Sequence, residues 1–184
     1  MAIQLSPGIW IIDNFFSDKE CQDWIAFSED HTYQTATIGT GRVQQVRLGV
    51  RNNDRIIYDD ESLAESLYHR AKEHMVSKFG KMSLHGLNSR FRFYRYALGQ
   101  QFKPHQDGSY IKDKSTWSEF AFLIYLNDDY VGGQTKFIRA TVEPKRGMAL
   151  LFKHQLVHEG CPVIEGTKYV LRTDVMYKFQ ESEE

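Results

Sequence analysis

From Arg90 onward, short apolar runs alternate with turn-forming residues along most of the remaining chain. The runs are rich in β-branched and aromatic side chains, and Gly, Asn or Asp residues separate them, as expected for strands joined by turns. The predicted strands cover 90–98, 120–126, 135–138, 148–152 and 169–177. Strands at this spacing are typical of a β-sandwich or β-barrel. The second half of the chain is therefore predicted to be all-β.

The first part of the sequence predicts two helices. Ser17 followed by Glu20 fits a capping box, and the apolar residues after it recur at helical spacing until about Asp30. A second apolar stripe predicts a helix from about Asp60 to Phe79. Two short strands are also expected, over 8–12 and 43–50. The expected fold class is α+β and mainly β, with N-terminal helices that buttress the β-core.

Length and charge narrow the class of protein further. A chain of 184 residues can form one substantial core. We expect a single domain over 1–184, with helical support over about 1–85 and the β-core over about 86–180. The 23 basic and 24 acidic residues give a formal net charge of -1, which offers no overall attraction to nucleic acid.

The N-terminal segment lacks a basic leader, apolar core and small-residue cleavage site in that order. No apolar run approaches the roughly 20 residues that span a bilayer. The expected location is the cytoplasm, without a membrane partner. Cys21 and Cys161 form no spaced motif, so two free thiols are expected. The sequence does not indicate an oligomeric state.

Two histidines and an aspartate carry the most specific chemical signal. His105 and Asp107 are two positions apart after a predicted strand, and His158 follows another predicted strand. Residues at i and i+2 of an extended chain project to the same side. One carboxylate and two imidazoles on one face of an octahedral ion leave the opposite face open, as in non-haem iron(II) sites. These three residues are candidate metal ligands and catalytic residues.

Three blocks of sequence surround these residues. The first is Tyr96-Ala-Leu-Gly-Gln-Gln-Phe-Lys-Pro-His-Gln-Asp107, and the second, 122–135, is an apolar strand with an Asn turn and a Gly-Gly-Gln-Thr element. The third, 158–169, contains a lysine ten positions after its histidine. In their order and spacing, the blocks resemble the Fe(II)/2-oxoglutarate-dependent dioxygenases of the prolyl 4-hydroxylase type. The resemblance covers roughly 90–177.

The resemblance implies a double-stranded β-helix, the jelly-roll core shared with cupins. It implies Fe(II), 2-oxoglutarate and O2 as cofactors and co-substrates, with ascorbate as a reductant. Tyr96 and Lys168 match family positions that bind 2-oxoglutarate. Arg172 is a rival anchor, because positions four apart on a strand face the same side and a guanidinium can bind a carboxylate through two hydrogen bonds. The sequence leaves the choice between the two cations open.

The implied reaction is hydroxylation of a C–H bond with release of succinate and CO2. The favoured substrate is a peptidyl or small-molecule amino acid, with proline first among the candidates. Functional loops often surround a rigid scaffold, and on this ground Arg51, Asn53 and Tyr110 are candidate substrate contacts. One sequence does not decode substrate specificity.

Two other functions use similar architecture. Oxidative demethylation of nucleic acid needs the same metal triad, but the balanced charge and the absence of a basic stripe in the sequence argue against nucleic acid as the partner. A cupin-like metal- or ligand-binding module without oxygenase activity would have little need for the basic residues after His158. These remain the alternatives.

Overall fold

The computed structural model of the protein describes residues 1–39 and 44–180. In these ranges the helices are α1 (Asp18–Glu29) and α2 (Glu61–Ala71), and a short 3-10 helix (Lys72–His74) follows α2. The strands are, in chain order, β1 (Ile3–Ser6), β2 (Ile9–Ile12), β3 (Gln34–Thr35), β4 (Asp54–Asp59), β5 (Lys78–Phe79), β6 (Met82–Leu87), β7 (Arg90–Tyr96), β8 (Phe102–His105), β9 (Thr116–Tyr125), β10 (Val131–Gly132), β11 (Thr135–Phe137), β12 (Thr141–Val142), β13 (Ala149–Lys153), β14 (His158–Gly160), β15 (Val163–Glu165) and β16 (Lys168–Phe179). No helix in the described ranges has the length and apolar character needed to cross a membrane.

Ten strands form the main sheet. Its path runs β1-β2-β13-β9-β16-β7-β4-β3, and β6 joins it through β16 and also pairs with β5. The 12-residue strand β16 is the centre of this sheet, because it pairs antiparallel with β9, β7 and β6. Because β16 is hydrogen-bonded to neighbouring strands along its length, the direction of each of its side chains is fixed.

A smaller sheet lies against part of the main one. Its four strands follow the order β12-β11-β14-β8, and β10 pairs separately with β15. Phe137 of the small sheet shares one buried cluster with Tyr94, Tyr125 and Phe152 of the main sheet. Two antiparallel sheets closing over a common core form the predicted jelly roll. The mainly-β fold class is confirmed.

The main sheet buries apolar side chains on both of its faces and so contributes to two hydrophobic cores. In β7 and β16, Tyr94, Tyr96 and Val170 belong to the core between the sheets, while Phe93 and Leu171 belong to the core on the opposite face of the main sheet. Successive side chains of a strand point to opposite faces, which explains this division. Both helices contribute to the second core. The predicted buttress is confirmed, although the supporting part also supplies strands β1 to β5.

Both helices begin as predicted, but only α1 also ends as predicted. Ser17 and Glu20 form both halves of the capping box, and α1 reaches its C-cap at Asp30. Helix α2 stops at Ala71, so the predicted extension to Phe79 is wrong. The last part of that segment is instead a 3-10 turn and strand β5. An apolar stripe shows which residues are buried, and short extended segments bury them as well as a helix does.

The predicted strand over 43–50 is also wrong in its described part. Residues 44–50 form no strand, and Val46 and Leu48 are exposed; position 43 lies outside the described residues. The real strand is β4, which was missed and pairs with β7 along its whole length. Its sequence begins and ends with aspartate, so it lacks the apolar bounds expected of a strand. The short strands β8 and β14, which carry the histidines, were also missed.

One glycine connects the helical support to the β-core. Gly147 has a φ of 75°, and a Cβ at this position would collide with the carbonyl oxygen of Phe16. We expect Gly147→Ala to lower the free energy of unfolding by about 3 kcal/mol, because left-handed strain and a backbone clash add. Urea unfolding measures this change. Gly86→Ala is the control, since a Cβ there meets nothing within 4 Å; equal losses in both variants would contradict the explanation.

Candidate active site

His105 and His158 face each other in the small sheet. His105 ends β8, His158 begins β14, and the two are direct partners in the antiparallel pairing. Asp107 lies just beyond β8, where its N–H donates to the carbonyl of His154 at 3.0 Å. His105 Nε2 is 3.6 Å from Asp107 Oδ1, and His158 Nε2 is 3.7 Å from Asp107 Oδ2. One potential ligand atom from each of the three residues lies within 4.8 Å of the others, so a single metal ion could contact all three.

Backbone carbonyls set the orientation of both imidazole rings. Nδ1 of His105 lies 2.8 Å from the Lys103 carbonyl, and Nδ1 of His158 lies 2.9 Å from the Leu156 carbonyl. Because a carbonyl can only accept, each Nδ1 must carry the proton and each Nε2 keeps its lone pair. Nε2 of His105 is buried without a hydrogen-bond partner in the described part of the chain. Metal-binding histidines are typically held in this way.

The charges of the cluster suit a divalent cation. Burial lowers the pKa of His158 to about 4, so its imidazole is neutral at pH 7. Burial alone would raise the pKa of Asp107, but the Arg172 guanidinium, 2.9 Å away, helps to hold it well below its usual range. Metals bind neutral imidazole and ionised carboxylate. The donor set of the three predicted ligands therefore fits Fe(II).

A narrow cavity of about 40 Å³ is lined by both histidines and by Lys168. Lys168 is only 4% exposed, and its ammonium donates to the Gly133 carbonyl at 2.5 Å. Gly133 has a φ of 68°, and a Cβ there would lie 3.2 Å from the Lys168 side chain, so glycine permits this close approach. Burial lowers the pKa of Lys168 to about 7. Among the described residues no carboxylate pairs with Lys168, so burial disfavours its charged form, and an anion bound beside it would favour that form again.

Tyr96 and Arg172 line the same cavity in different ways. Tyr96 is the cross-strand partner of Lys168, and burial raises its pKa to about 12, so its hydroxyl stays protonated and can donate. Arg172 instead pairs with Asp107, and its Nη2 lies 3.3 Å from Asp174 Oδ1. These contacts already neutralise Arg172. Lys168 is the cation of this cavity whose charge the described residues leave unbalanced.

A wider cavity of about 330 Å³ adjoins the narrow one and shares Tyr94, Phe102, His105 and Arg172 with it. It is lined by His105, Asp107 and Arg51, among others, and Arg51 Nε donates to Asn53 Oδ1 at 2.7 Å. Of the three predicted substrate residues, Arg51 lies in this cavity wall, and Asn53 is fully buried and linked to the wall by its hydrogen bond with Arg51. Tyr110 lies elsewhere, in the wall of a separate cavity of about 610 Å³ beside α2.

Sequence reasoning missed two charged residues of this cavity, Arg90 and Arg92, which line it together with Arg55. A signal was present in β7, where arginine and tyrosine occupy alternate positions at 90, 92, 94 and 96. Alternate residues of a strand share a face. Since the family match assigns Tyr96 to the co-substrate site, Arg90 and Arg92 could have been predicted to lie on the same face of the sheet.

Comparison with known proteins agrees with this geometry. The family model described as the 2OG-Fe(II) oxygenase superfamily matches residues 91–173. Procollagen-lysine,2-oxoglutarate 5-dioxygenase 1 of Mus musculus is 25% identical over 163 residues, which cover 84% of this chain and 22% of that protein. Prolyl 4-hydroxylase 1 of Arabidopsis thaliana is 23% identical over 197 residues, covering 91% of this chain and 68% of that protein. The chain therefore spans about a fifth of the first relative and about two thirds of the second.

Solved structures share the fold. A prolyl hydroxylase from Trichoplax adhaerens, in complex with a hypoxia inducible factor peptide fragment, matches with a TM-score of 0.68 and 19% identity, covering 94% of this chain and 83% of that one. A Pseudomonas putida prolyl-4-hydroxylase matches with a TM-score of 0.66 and 16% identity, covering 95% and 94%. The family-model match, the hydroxylase relatives and the shared fold together support a 2OG-Fe(II) oxygenase that is prolyl 4-hydroxylase-like.

Proposed function

We propose that this protein hydroxylates a C–H bond of a prolyl residue or another amino acid, with Fe(II), 2-oxoglutarate and O2, and releases succinate and CO2. One observation carries the proposal. A cluster with the donor set and protonation states of an iron(II) site shares a cavity wall with a buried lysine whose charge is unbalanced among the described residues. The family supplies the cofactor chemistry, and these residues supply the means to bind it.

His105, Asp107 and His158 would hold the iron, which when bound supplies the oxidising chemistry. Lys168 would hold the far carboxylate of 2-oxoglutarate through a charge-assisted hydrogen bond. Tyr96 would donate a hydrogen bond from its hydroxyl to the same carboxylate, since its phenol stays neutral. In this proposal Arg172 is a positioning residue: it keeps Asp107 ionised and oriented, rather than binding the co-substrate.

The substrate would enter through the wider cavity, where Arg51 lines the wall beside His105 and Asp107. Amino-acid substrates are proposed because the curated relatives are named as lysyl and prolyl hydroxylases. Ascorbate would act as a reductant for iron oxidised without a productive turnover. A role for Tyr110 remains a prediction, because its cavity is a different one.

Succinate formation tests the proposal. Protein loaded anaerobically with Fe(II) and 2-oxoglutarate should form succinate after exposure to air, and omission of iron or oxygen should abolish it. Ascorbate should prolong the reaction. Proline-containing peptides and free amino acids are then added, and the additive that stimulates succinate formation and gains one oxygen atom by mass spectrometry identifies the substrate class. Iron-loaded protein that neither binds 2-oxoglutarate nor forms succinate would support the cupin-like binding module instead.

A further inference from the structure

Five arginines line the wider cavity beside the histidine–aspartate cluster: Arg51, Arg55, Arg90, Arg92 and Arg172. The acidic residue in the described wall is Asp107, one of the candidate metal ligands. The chain as a whole is nearly neutral, with a formal net charge of -1. Such a concentration of positive charge is therefore a local feature of this cavity.

Three of these arginines are balanced by carboxylates. Arg90 pairs with Asp59 at 3.0 Å, and Arg92 pairs with Asp174 at 3.0 Å. Arg172 pairs with Asp107 and Asp174, as described above. These contacts explain their presence without any ligand. Arg51 and Arg55 differ, because neither has a carboxylate partner among the residues that the structure describes.

Arg51 is built into the wall. It is 5% exposed, and its guanidinium lies between the rings of Tyr94 and Phe102, 4.6 and 4.5 Å from their centroids. Phe102 in turn stacks on the His105 ring at 3.4 Å between centroids, so the guanidinium is one aromatic ring away from a candidate ligand. The Arg51 Nε donates a hydrogen bond to Asn53, whereas the Arg51 Nη2 is buried without a hydrogen-bond partner in the described ranges. A buried, fixed and unsatisfied guanidinium is expensive unless a ligand completes it.

Arg55 provides a second cation in the same wall. Its Nη2 donates to Thr37 Oγ1 at 3.0 Å, a neutral partner. Burial lowers the pKa of Arg55, and Arg51, Arg92 and Arg172 add to this effect. The same field acts on Tyr94: its burial would raise the phenol pKa, but the guanidiniums of Arg172, Arg51 and Arg92 lower it to about 8. The cavity therefore has a positive potential that favours anions.

We propose that the substrate carries an anionic group, a carboxylate or a phosphate, which Arg51 and Arg55 bind in the wider cavity while the reacting C–H bond faces the His105–Asp107–His158 cluster. This inference deepens the proposed function and rests on it. Guanidinium groups bind such oxygens through paired, charge-assisted hydrogen bonds. Neutral substrates would leave the Arg51 Nη2 unsatisfied, and the site would discriminate against them for that reason.

Binding of matched probes tests the inference. Calorimetry uses the 184-residue protein loaded with redox-inert Zn2+ and saturated with 2-oxoglutarate, so that no probe is consumed. The carboxylate arm compares N-acetylproline with the neutral N-acetylprolinamide, and the phosphate arm compares N-acetyl-O-phosphoserinamide with the neutral N-acetylserinamide. At least one anionic probe should bind about 10-fold or more tightly than its neutral partner, because hydrogen bonds to charged groups are the stronger ones. The arm that shows the preference identifies the anion.

Arg55→Gln should reduce that preference about 10-fold, as should Arg51→Gln if it folds. Arg55 is only partly buried, so its variant keeps the test valid if the Arg51 variant does not fold. Arg139→Gln removes the same charge from an exposed position outside the cavity and should leave the preference unchanged.

Equal binding of charged and neutral probes, or an unaltered preference in Arg55→Gln, overturns the inference. Wild-type protein that forms succinate yet shows no charge preference refutes this inference alone, whereas failure to bind 2-oxoglutarate or form succinate refutes the proposed function.

Discussion

Asp107→Ala is expected to reduce succinate formation from 2-oxoglutarate by at least about 100-fold and to abolish stoichiometric iron binding. Loss of residues that merely orient a metal ligand costs roughly 10- to 100-fold in metal affinity or activity, so loss of the ligand itself should cost more. Asp107 also lies 2.9 Å from Arg172. Breaking a buried ion pair from one side is destabilising by about 3–5 kcal/mol, so the variant should also unfold at lower denaturant concentration.

A second variant separates catalysis from folding. His105→Gln removes one candidate ligand and leaves the Asp107–Arg172 pair intact, so it should fold normally, bind little iron and form little succinate. Asp113→Ala makes the same substitution as Asp107→Ala at an exposed position and should behave as wild type. Iron content, circular dichroism and succinate are measured on each sample. A folded His105→Gln protein with wild-type turnover would show that the cluster is not the iron site.

Lys168→Met is expected to raise the Kd for 2-oxoglutarate about 100-fold while zinc still binds. The variant keeps the length of the side chain but removes the ammonium that the proposal assigns to the far carboxylate, and charge-assisted hydrogen bonds contribute roughly this much. Calorimetry on the zinc-loaded protein measures the change. Lys178→Met is the control, because it alters an exposed lysine on the same strand.

The same lysine gives the binding a defined pH dependence. Its folded pKa is lowered to about 7 from an ordinary 10.5, and 2-oxoglutarate needs the charged form. Affinity should therefore decline as pH rises above about 7. The ligand-free protein should respond in the opposite sense. Between pH 7 and 10.5 the unfolded chain holds the proton and the folded chain does not, so the Lys168 contribution makes folding more favourable as pH rises through this window.

Lys168→Met should remove both effects, which chemical denaturation and calorimetry at several pH values can measure. If the variant binds 2-oxoglutarate as wild type does, Lys168 is not the anchor. Arg172 would then be the remaining candidate from the sequence, despite its contacts with Asp107 and Asp174.

Hydrophobic periodicity correctly predicted those strands in which most side chains are buried. The long strands β7, β9 and β16 bury residues on both faces, so their apolar runs were recognised. The capping box of α1 was recognised for a local reason, since its hydrogen bonds join residues three apart. Strand β4 was missed because aspartates bound its short apolar centre, and because the strand that it pairs with, β7, lies about 30 to 40 residues away in the sequence. No local pattern contains that partner.

The cluster of His105, Asp107 and His158 could be predicted from residue type and spacing together with the family resemblance. The sequence alone could not distinguish Lys168 from Arg172. Both lie on one face of β16, and period-two reasoning gives them equal standing. The structure separates them through Asp107 and Asp174, which pair with Arg172. Their carboxylates reach it from a loop and from its own strand.

The sequence by itself determined the strand-rich class, the helical support and the identity of the metal-cluster residues, because these depend on local periodicity and on the chemistry of single side chains. Only the tertiary structure decided which charges are balanced. The sequence places Arg51 and Arg55 in a polar segment and gives no sign of their burial, yet the fold places both in a cavity wall beside His105. The burial of a side chain and the charges around it depend on residues from distant parts of the chain, and folding of the two sheets brings these residues together.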